Sequence, residues 1–300
     1  MNPLKKSRLL PFLLLIFGLV CIGWSAIFVK LAAVCGFASA FYRMAIGSVF
    51  VLPLWLSRKK SGLNSKSIQT AIFCGCLFAC DISLWNTSIL LSKASISTLL
   101  ANLAPIWVGL GSIFIFKEKP KAIFWIGTAV AIFGVIVIVG IGNVYHAKLS
   151  LGNTLAIIAS MFYGVYLLTT QKVRNTLDTV SFTAISMFTS TLVLFGICTV
   201  AGTKLTGYNH KTWLALIGIG LISQLGGWLS INWALGHIKS TSASVTLLGQ
   251  SVVTALIAVP VLGEFLTWPE VFGALIVLFG IYLVNRRKVT HKSVVEPEYD

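Results

Sequence analysis

Apolar stretches of roughly twenty residues alternate along this chain with short polar breaks. A bilayer core of about 30 Å is crossed by about 20 helical residues at 1.5 Å each. By that measure the pattern predicts ten spans, at 9–33, 37–57, 68–91, 95–116, 122–142, 151–171, 180–202, 212–236, 242–262 and 268–285. The first run follows Lys5, Lys6 and Arg8, as in a signal peptide, but no convincing small-x-small cleavage site follows it. Val20 before Cys21 also suits lipoprotein cleavage poorly. The run is therefore expected to remain as the first helix. The polar stretch ending EPEYD is expected to be a disordered tail.

The pattern repeats. Asn86 matches Asn232 at an offset of 146 residues (232 − 86), and the same offset pairs Lys93 with Lys239, Glu118 with Glu264, Gly127 with Gly273 and Gly134 with Gly280. A duplicated apolar half points to a transporter before an enzyme. Five helices per half is an odd number, so the halves should enter the membrane in opposite senses. The turn KEKPK at 117–121 is basic, while its partner GEFLT at 263–267 keeps the glutamate and has no lysine. The expected fold is thus an all-α integral membrane protein of ten transmembrane helices, arranged as two inverted five-helix repeats. The expected domains are a first repeat over 1–145, a second over 146–288 and a polar cytoplasmic tail over 289–300.

Composition strengthens the class. Of the 300 residues 57% are hydrophobic and only 10% charged, against about 25% charged in soluble domains. The net charge of +15 does not imply nucleic acid, because the basic residues lie between apolar runs and build no continuous face. With the N-terminus inside and helices alternating, 17 of the 23 lysines and arginines fall on the cytoplasmic side and 4 outside. Lys30 and Arg43 fall within helices. That asymmetry predicts both termini in the cytoplasm, in a bacterial-type inner membrane.

The six cysteines, Cys21, Cys35, Cys74, Cys76, Cys80 and Cys198, lie in or beside apolar runs. No histidine stands among Cys74, Cys76 and Cys80, so they are read as structural thiols rather than a metal site. His146, His210, His237 and His291 fall in connections or the tail. No H-E-x-x-H, G-x-S-x-G or phosphate loop is present, and no nucleophile–base pair can be assembled. No catalytic residue, metal or cofactor is expected.

The chain resembles the EamA-type family of the drug/metabolite transporter superfamily. The resemblance covers nearly the whole chain. It rests on Trp24, Arg43 in FYR, the Asp81-x-x-x-Trp85 pattern, LLANLAPI at 99–106 and Glu118. In the second half LLGQ at 247–250 and LGE at 262–264 fit the same pattern. The resemblance implies a ten-helix secondary carrier whose pathway is lined mainly by helices 1, 3, 4, 6, 8 and 9. It implies no particular substrate.

Several residues could carry the chemistry. Asp81 lies about 15 Å from the outer end of helix three, near the midplane. A carboxylate at that depth should face protein or water. It could bind a cation, carry a proton, or serve in an ion pair or interhelical hydrogen bond. Arg43 lies about 9 Å deep by the same rise. It is expected to pair with Asp81 as part of a gate, or else to snorkel outward. Asn86, Asn102, Gln171, Gln224, Asn232 and Gln250 need partners within the membrane. Of these, Asn102, Gln224 and Gln250 lie in the family-like stretches and are the better pathway candidates. Trp24, Trp85, Tyr163, Tyr166 and Trp228 could wall a cation or an aromatic ring, or simply pack. Pro105 is expected to kink helix four. Gly127, Gly134, Gly273 and Gly280 should give helices five and ten a small face. Glu118 and Glu264 read as capping or solvent-exposed turn residues.

The leading expectation is a secondary transporter of small metabolites, amino acids or related solutes, working by alternating access. The substrate class comes from the resemblance alone. A nucleoside-like cationic metabolite such as S-adenosylmethionine is the runner-up. A membrane-embedded enzyme on lipid-linked substrates and a purely structural protein are the competing classes. The expected partners are a small-molecule substrate and the lipid bilayer, with a homodimer left open.

Overall fold

The computed structural model describes residues 9–92, 94–140, 142, 150–263 and 265–286. Lys93, His146, Glu264, His291 and the tail over 289–300 lie outside the described residues. Among the described residues ten helical spans are long and apolar enough to cross a bilayer. They are α1 Leu10–Ala32, α2 Gly36–Leu56, α3 Ser65–Leu91, α4 Ile96–Ile115 and α5 Ala122–Val139. The second five are α6 Leu151–Val173, α7 Thr179–Val200, α8 His210–Leu235, α9 Ser240–Val261 and α10 Trp268–Asn285.

Each overlaps its predicted span. The α3 and α8 starts lie three and two residues before the predicted ones, each behind a polar cap. Asn64 accepts from the Ser67 N–H and Asn209 from the Thr212 N–H. These caps let α3 and α8 begin before the hydrophobic pattern does. Asp178 and Ser150 cap α7 and α6 in the same way.

Three helices are not continuous α-helices. α4 divides into Ala94–Ala101 and Ala104–Ile115, with the break at Asn102 and Leu103. Pro105 therefore does not kink a continuous helix. It sits in the first turn of the second segment, where its missing N–H costs nothing. α9 divides into Ser240–Leu247 and Gln250–Leu262, with the break at Leu248 and Gly249. The two breaks stand 146 residues apart (248 − 102), the offset of the sequence repeat. α8 runs as α-helix over His210–Gly218, π-helix over Ile219–Trp228 and α-helix again over Leu229–Leu235. Hydropathy cannot reveal that change, because a π-turn alters rotation and not polarity.

The packing follows the repeat too. α3 packs on α6 and α7, and its counterpart α8 packs on α1 and α2. α5 and α10 pack on each other through their glycines. A Cβ on Gly127 would come within 2.8 Å of the Gly280 carbonyl oxygen, and one on Gly134 within 2.7 Å of that of Gly273. The order of these meetings makes the two helices antiparallel. Large apolar side chains such as Phe114, Leu192 and Val200 face outward from the bundle, where lipid would solvate them.

Candidate functional site

A polar cluster lies inside the bundle where α1, α2, α3, α6 and α8 converge. Arg43, two turns into α2, is 8% exposed. Its Nε–H donates to Gln224 Oε1 at 2.6 Å, and Nη1 donates to Ser25 Oγ at 3.0 Å. Gln224 is itself buried and sits on the π-helical segment of α8. Neutral acceptors thus position the guanidinium without cancelling its charge.

Asp81 lies in the middle of α3 and is partly exposed within the bundle. Among the described residues its carboxylate has no hydrogen bond and no ion pair within 4.0 Å. It is close enough to Arg43 and to the Tyr163 hydroxyl for the three to interact electrostatically. The expected contact between Arg43 and Asp81 is therefore a pair held apart. The reason is geometric, because Ser25 and Gln224 draw the guanidinium towards α1 and α8. Nor does Arg43 snorkel, since its side chain is enclosed.

Aromatic side chains back this cluster. Trp228 lies one turn beyond Gln224 and meets Phe78 at 4.6 Å, Tyr166 at 5.4 Å and Tyr163 at 5.9 Å, all edge to face. The Tyr166 hydroxyl donates to Asn232 Oδ1 at 3.0 Å, and Asn232 Nδ2 donates to Thr183 Oγ1 at 3.2 Å. Tyr166 is thereby a locked wall residue. Trp85 lies one turn beyond Asp81 on α3, and i, i+4 residues share a helix face. The indole N–H groups of Trp85 and Trp228 are both buried without an acceptor. Trp24 stands apart from this wall and stacks on Phe28 at 5.6 Å.

The other predicted pathway residues do not join the Arg43 cluster by hydrogen bonds. Asn102, at the break of α4, donates to Ser251 Oγ of α9 at 3.2 Å. Gln250, just past the break of α9, donates to the Ile22 carbonyl of α1 at 3.4 Å. Ser223 and Thr254 donate to the neighbouring Cys21 and Gly23 carbonyls, both at 2.9 Å. The middle of α1 is thus clasped by α8 and α9. Gln171 Oε1 accepts from the Ser240 N–H at 2.6 Å and serves the α9 start. Asn86 donates to the Gly36 carbonyl at 2.7 Å and secures the α2 start.

One end of the bundle carries a cleft of about 290 Å³, with Ser112, Lys121, Gln171 and Ser240 among its lining. There Lys239 Nζ donates to Glu118 Oε2, an ion pair between the α4–α5 and α8–α9 connections. Glu118 is thus a solvent-exposed turn residue, as expected, and it also links the two connections. The α1–α2 and α7–α8 connections meet at the other end, where Tyr42, Tyr208 and Trp213 pack together. Among the described residues no group of three His, Cys, Asp or Glu is arranged to hold a metal.

Sequence reasoning missed Ser25, the π-segment and the Glu118–Lys239 contact. Ser25 carried no signal beyond adjoining Trp24. The ion pair could have been suspected from a lone acid and a lone base in two polar connections of opposite halves.

The profile of the EamA-like transporter family matches residues 9–140 and 150–286. A Synechocystis protein described as the uncharacterized transporter sll1319 is 26% identical over 239 residues, which is 78% of this chain and 72% of that one. An uncharacterized transporter of Archaeoglobus fulgidus is 23% identical over 285 residues, 91% of this chain and 97% of that one. The uncharacterized transporter YdfC of Bacillus subtilis is 21% identical over 263 residues, 85% of each. One solved crystal structure superposes with a TM-score of 0.76 over 94% of this chain and 100% of that one at 17% identity, which shows a common fold.

Proposed function

This chain belongs to the EamA-like transporter family, and from that premise we propose that it is a secondary transporter of small metabolites, amino acids or related solutes, working by alternating access. In this reading the two five-helix halves are inverted repeats that rock about the Asp81–Arg43 cluster. Both termini lie in the cytoplasm of a bacterial-type inner membrane. The matched breaks in α4 and α9 and the antiparallel α5–α10 pair support the inversion.

The observation that carries the reading is the polar cluster itself. A carboxyl and a guanidinium with no ion pair between them, an amide and a hydroxyl are enclosed by five helices and backed by aromatic rings. Charged groups within a membrane-spanning bundle mark solute or ion pathways. Among the described residues Asp81 is the one carboxylate in the interior of a span, so any proton coupling would pass through it. A solute bearing only positive charge suits the site less well, because Arg43 shares the enclosure.

The test is counterflow. Purified protein in liposomes preloaded with one unlabelled amino acid is expected to accumulate its labelled form transiently. Absence of counterflow for amino acids, nucleosides and cationic metabolites alike would sink the reading.

A further inference from the structure

We propose that the cleft between the α4–α5 connection and the start of α9 is a phosphate-binding site, taking the phosphodiester of an anionic lipid headgroup or a free phosphate. None of its lining residues belongs to the Arg43 cluster. In the orientation proposed above, this end of the bundle faces the cytoplasm.

The reasoning begins with buried donors that lack a partner. Ser240 is 1% exposed, Ser242 3% and Gln171 6%, and all three line the cleft. Among the described residues neither serine hydroxyl makes a hydrogen bond. Gln171 Oε1 accepts from the Ser240 N–H at 2.6 Å, which orients the amide and leaves its Nε2 group without an acceptor. Buried polar groups are normally satisfied. Each of these three can donate, so one acceptor-rich group in the cleft would serve them together.

Two helix starts open onto the same space. α5 begins at Ala122 and α9 at Ser240, and neither has a side-chain cap. The N–H groups of Thr241 and Ser242 have no partner among the described residues. Unpaired N–H groups and the helix dipole make such ends attractive to oxyanions. The residues at the two cap positions are Lys121 and Lys239, so a full positive charge stands beside each start.

The charge balance agrees. Lys119, Lys121 and Lys239 face Glu118 alone among the charged lining residues. Glu118 is paired with Lys239, while Lys119 and Lys121 have no ion pair among the described residues. The cleft therefore holds surplus positive charge.

The geometry selects the kind of anion. Donors converge from the α4–α5 connection, from α6 and from α9. A tetrahedral phosphate presents strong acceptor oxygens in several directions at once, whereas the two oxygens of a carboxylate lie in one plane. The volume of about 290 Å³ lies just below the range of small-molecule pockets, about 300–1,000 Å³, and suits a headgroup or a small anion. Basic pockets between transmembrane helices on the cytoplasmic side are known to hold anionic headgroups.

The experiment uses the full chain in a neutral detergent. Thermal shift is measured against sodium phosphate and, separately, against mixed micelles containing phosphatidylglycerol. Sodium chloride and sodium acetate at matched ionic strength and phosphatidylcholine micelles are the controls. A concentration-dependent rise in melting temperature is expected with phosphate, phosphatidylglycerol or both, and not with the controls. Phosphate acting alone would identify a free anion as the occupant, and phosphatidylglycerol acting alone a headgroup. The double variant Ser240→Ala with Ser242→Ala, and separately Lys121→Gln, should each weaken binding by about tenfold or more.

The serine hydroxyls have no protein partner, so the double variant should melt as the parent does when no anion is present. If it melts lower, Lys121→Gln decides, because that side chain is exposed. No response to phosphate or phosphatidylglycerol would overturn the proposal. So would an equal response to acetate or chloride, or undiminished binding in Lys121→Gln. None of these readouts requires transport, so the outcome of counterflow does not bear on them.

Discussion

Arg43 and Gln224, 181 positions apart in sequence, are joined by a 2.6 Å hydrogen bond in which the guanidinium Nε–H donates to the amide oxygen. The bond links α2 of the first half to the π-helical segment of α8 in the second. It also decides where the guanidinium points, and so whether Arg43 meets Asp81 directly.

Gln224→Leu removes that acceptor and leaves a buried charge short of a partner. Hydrogen bonds to charged groups contribute about 1.5–3 kcal/mol, so the variant should melt at lower temperature in detergent. Counterflow should fall with it. Gln224→Glu, which restores an acceptor of opposite charge, is expected to recover the melting temperature and not the transport. A Gln224→Leu protein as stable as the parent would show that the bond does not hold the cluster.

The Glu118–Lys239 ion pair ties the α4–α5 connection to the α8–α9 connection. The Lys239 and Glu118 side chains are 31% and 57% exposed, so each single neutral substitution should change stability by less than about 1 kcal/mol. Its role in opening that end is tested by Glu118→Cys with Lys239→Cys. In a cysteine-free background, bridging the two with a reducible bifunctional thiosulfonate should arrest counterflow and reduction should restore it. Unimpeded exchange in the cross-linked protein would show that this end need not open.

Gly134 sits where an added Cβ would come within 2.6 Å of the Val277 backbone nitrogen. Gly134→Val must push α5 from α10, and overpacking of this kind costs about 1–3 kcal/mol. The loss should show in thermal unfolding. The surviving folded protein should bind solute with unchanged affinity, because the α5–α10 pair lies outside the Arg43 cluster. A large affinity change at unchanged stability would place these helices in the pathway.

Residues 119 and 266 occupy corresponding connections of the two halves. In a cysteine-free background, Lys119→Cys should react with a membrane-impermeant maleimide only from the cytoplasmic side. Leu266→Cys should react only from outside. Labelling of both from one side would rule out the inverted arrangement.

Much of the architecture was legible because the bilayer selects on local properties. Run length and hydropathy located α1 to α10, since each span must satisfy its own backbone and expose apolar side chains to lipid. The glycines of α5 and α10 were legible as a close-packing face for the same reason: small residues permit approach whatever the partner. The repeat offset located equivalent positions without any structure, and the breaks at 102–103 and 248–249 obey it. The helix starts at Asn64 and Asn209 were placed too late, because caps are polar and lie outside the apolar run.

The site was legible as a set of residue types and not as a set of contacts. Asp81, Arg43, Tyr163, Gln224 and Trp228 all stood out as polar or aromatic groups in apolar surroundings. Their partners did not. Arg43 bonds Ser25 and Gln224, Asn102 bonds Ser251, and Glu118 pairs with Lys239. Sequence by itself determined how many times the chain crosses, which stretches correspond and which groups must be hidden from lipid. Tertiary structure alone decided who meets whom, because each residue turns a helix by about 100° and a π-segment shifts that rotation without altering hydropathy. Whether two buried charges touch or stand apart depends on that rotation, and on neighbours far away in the chain.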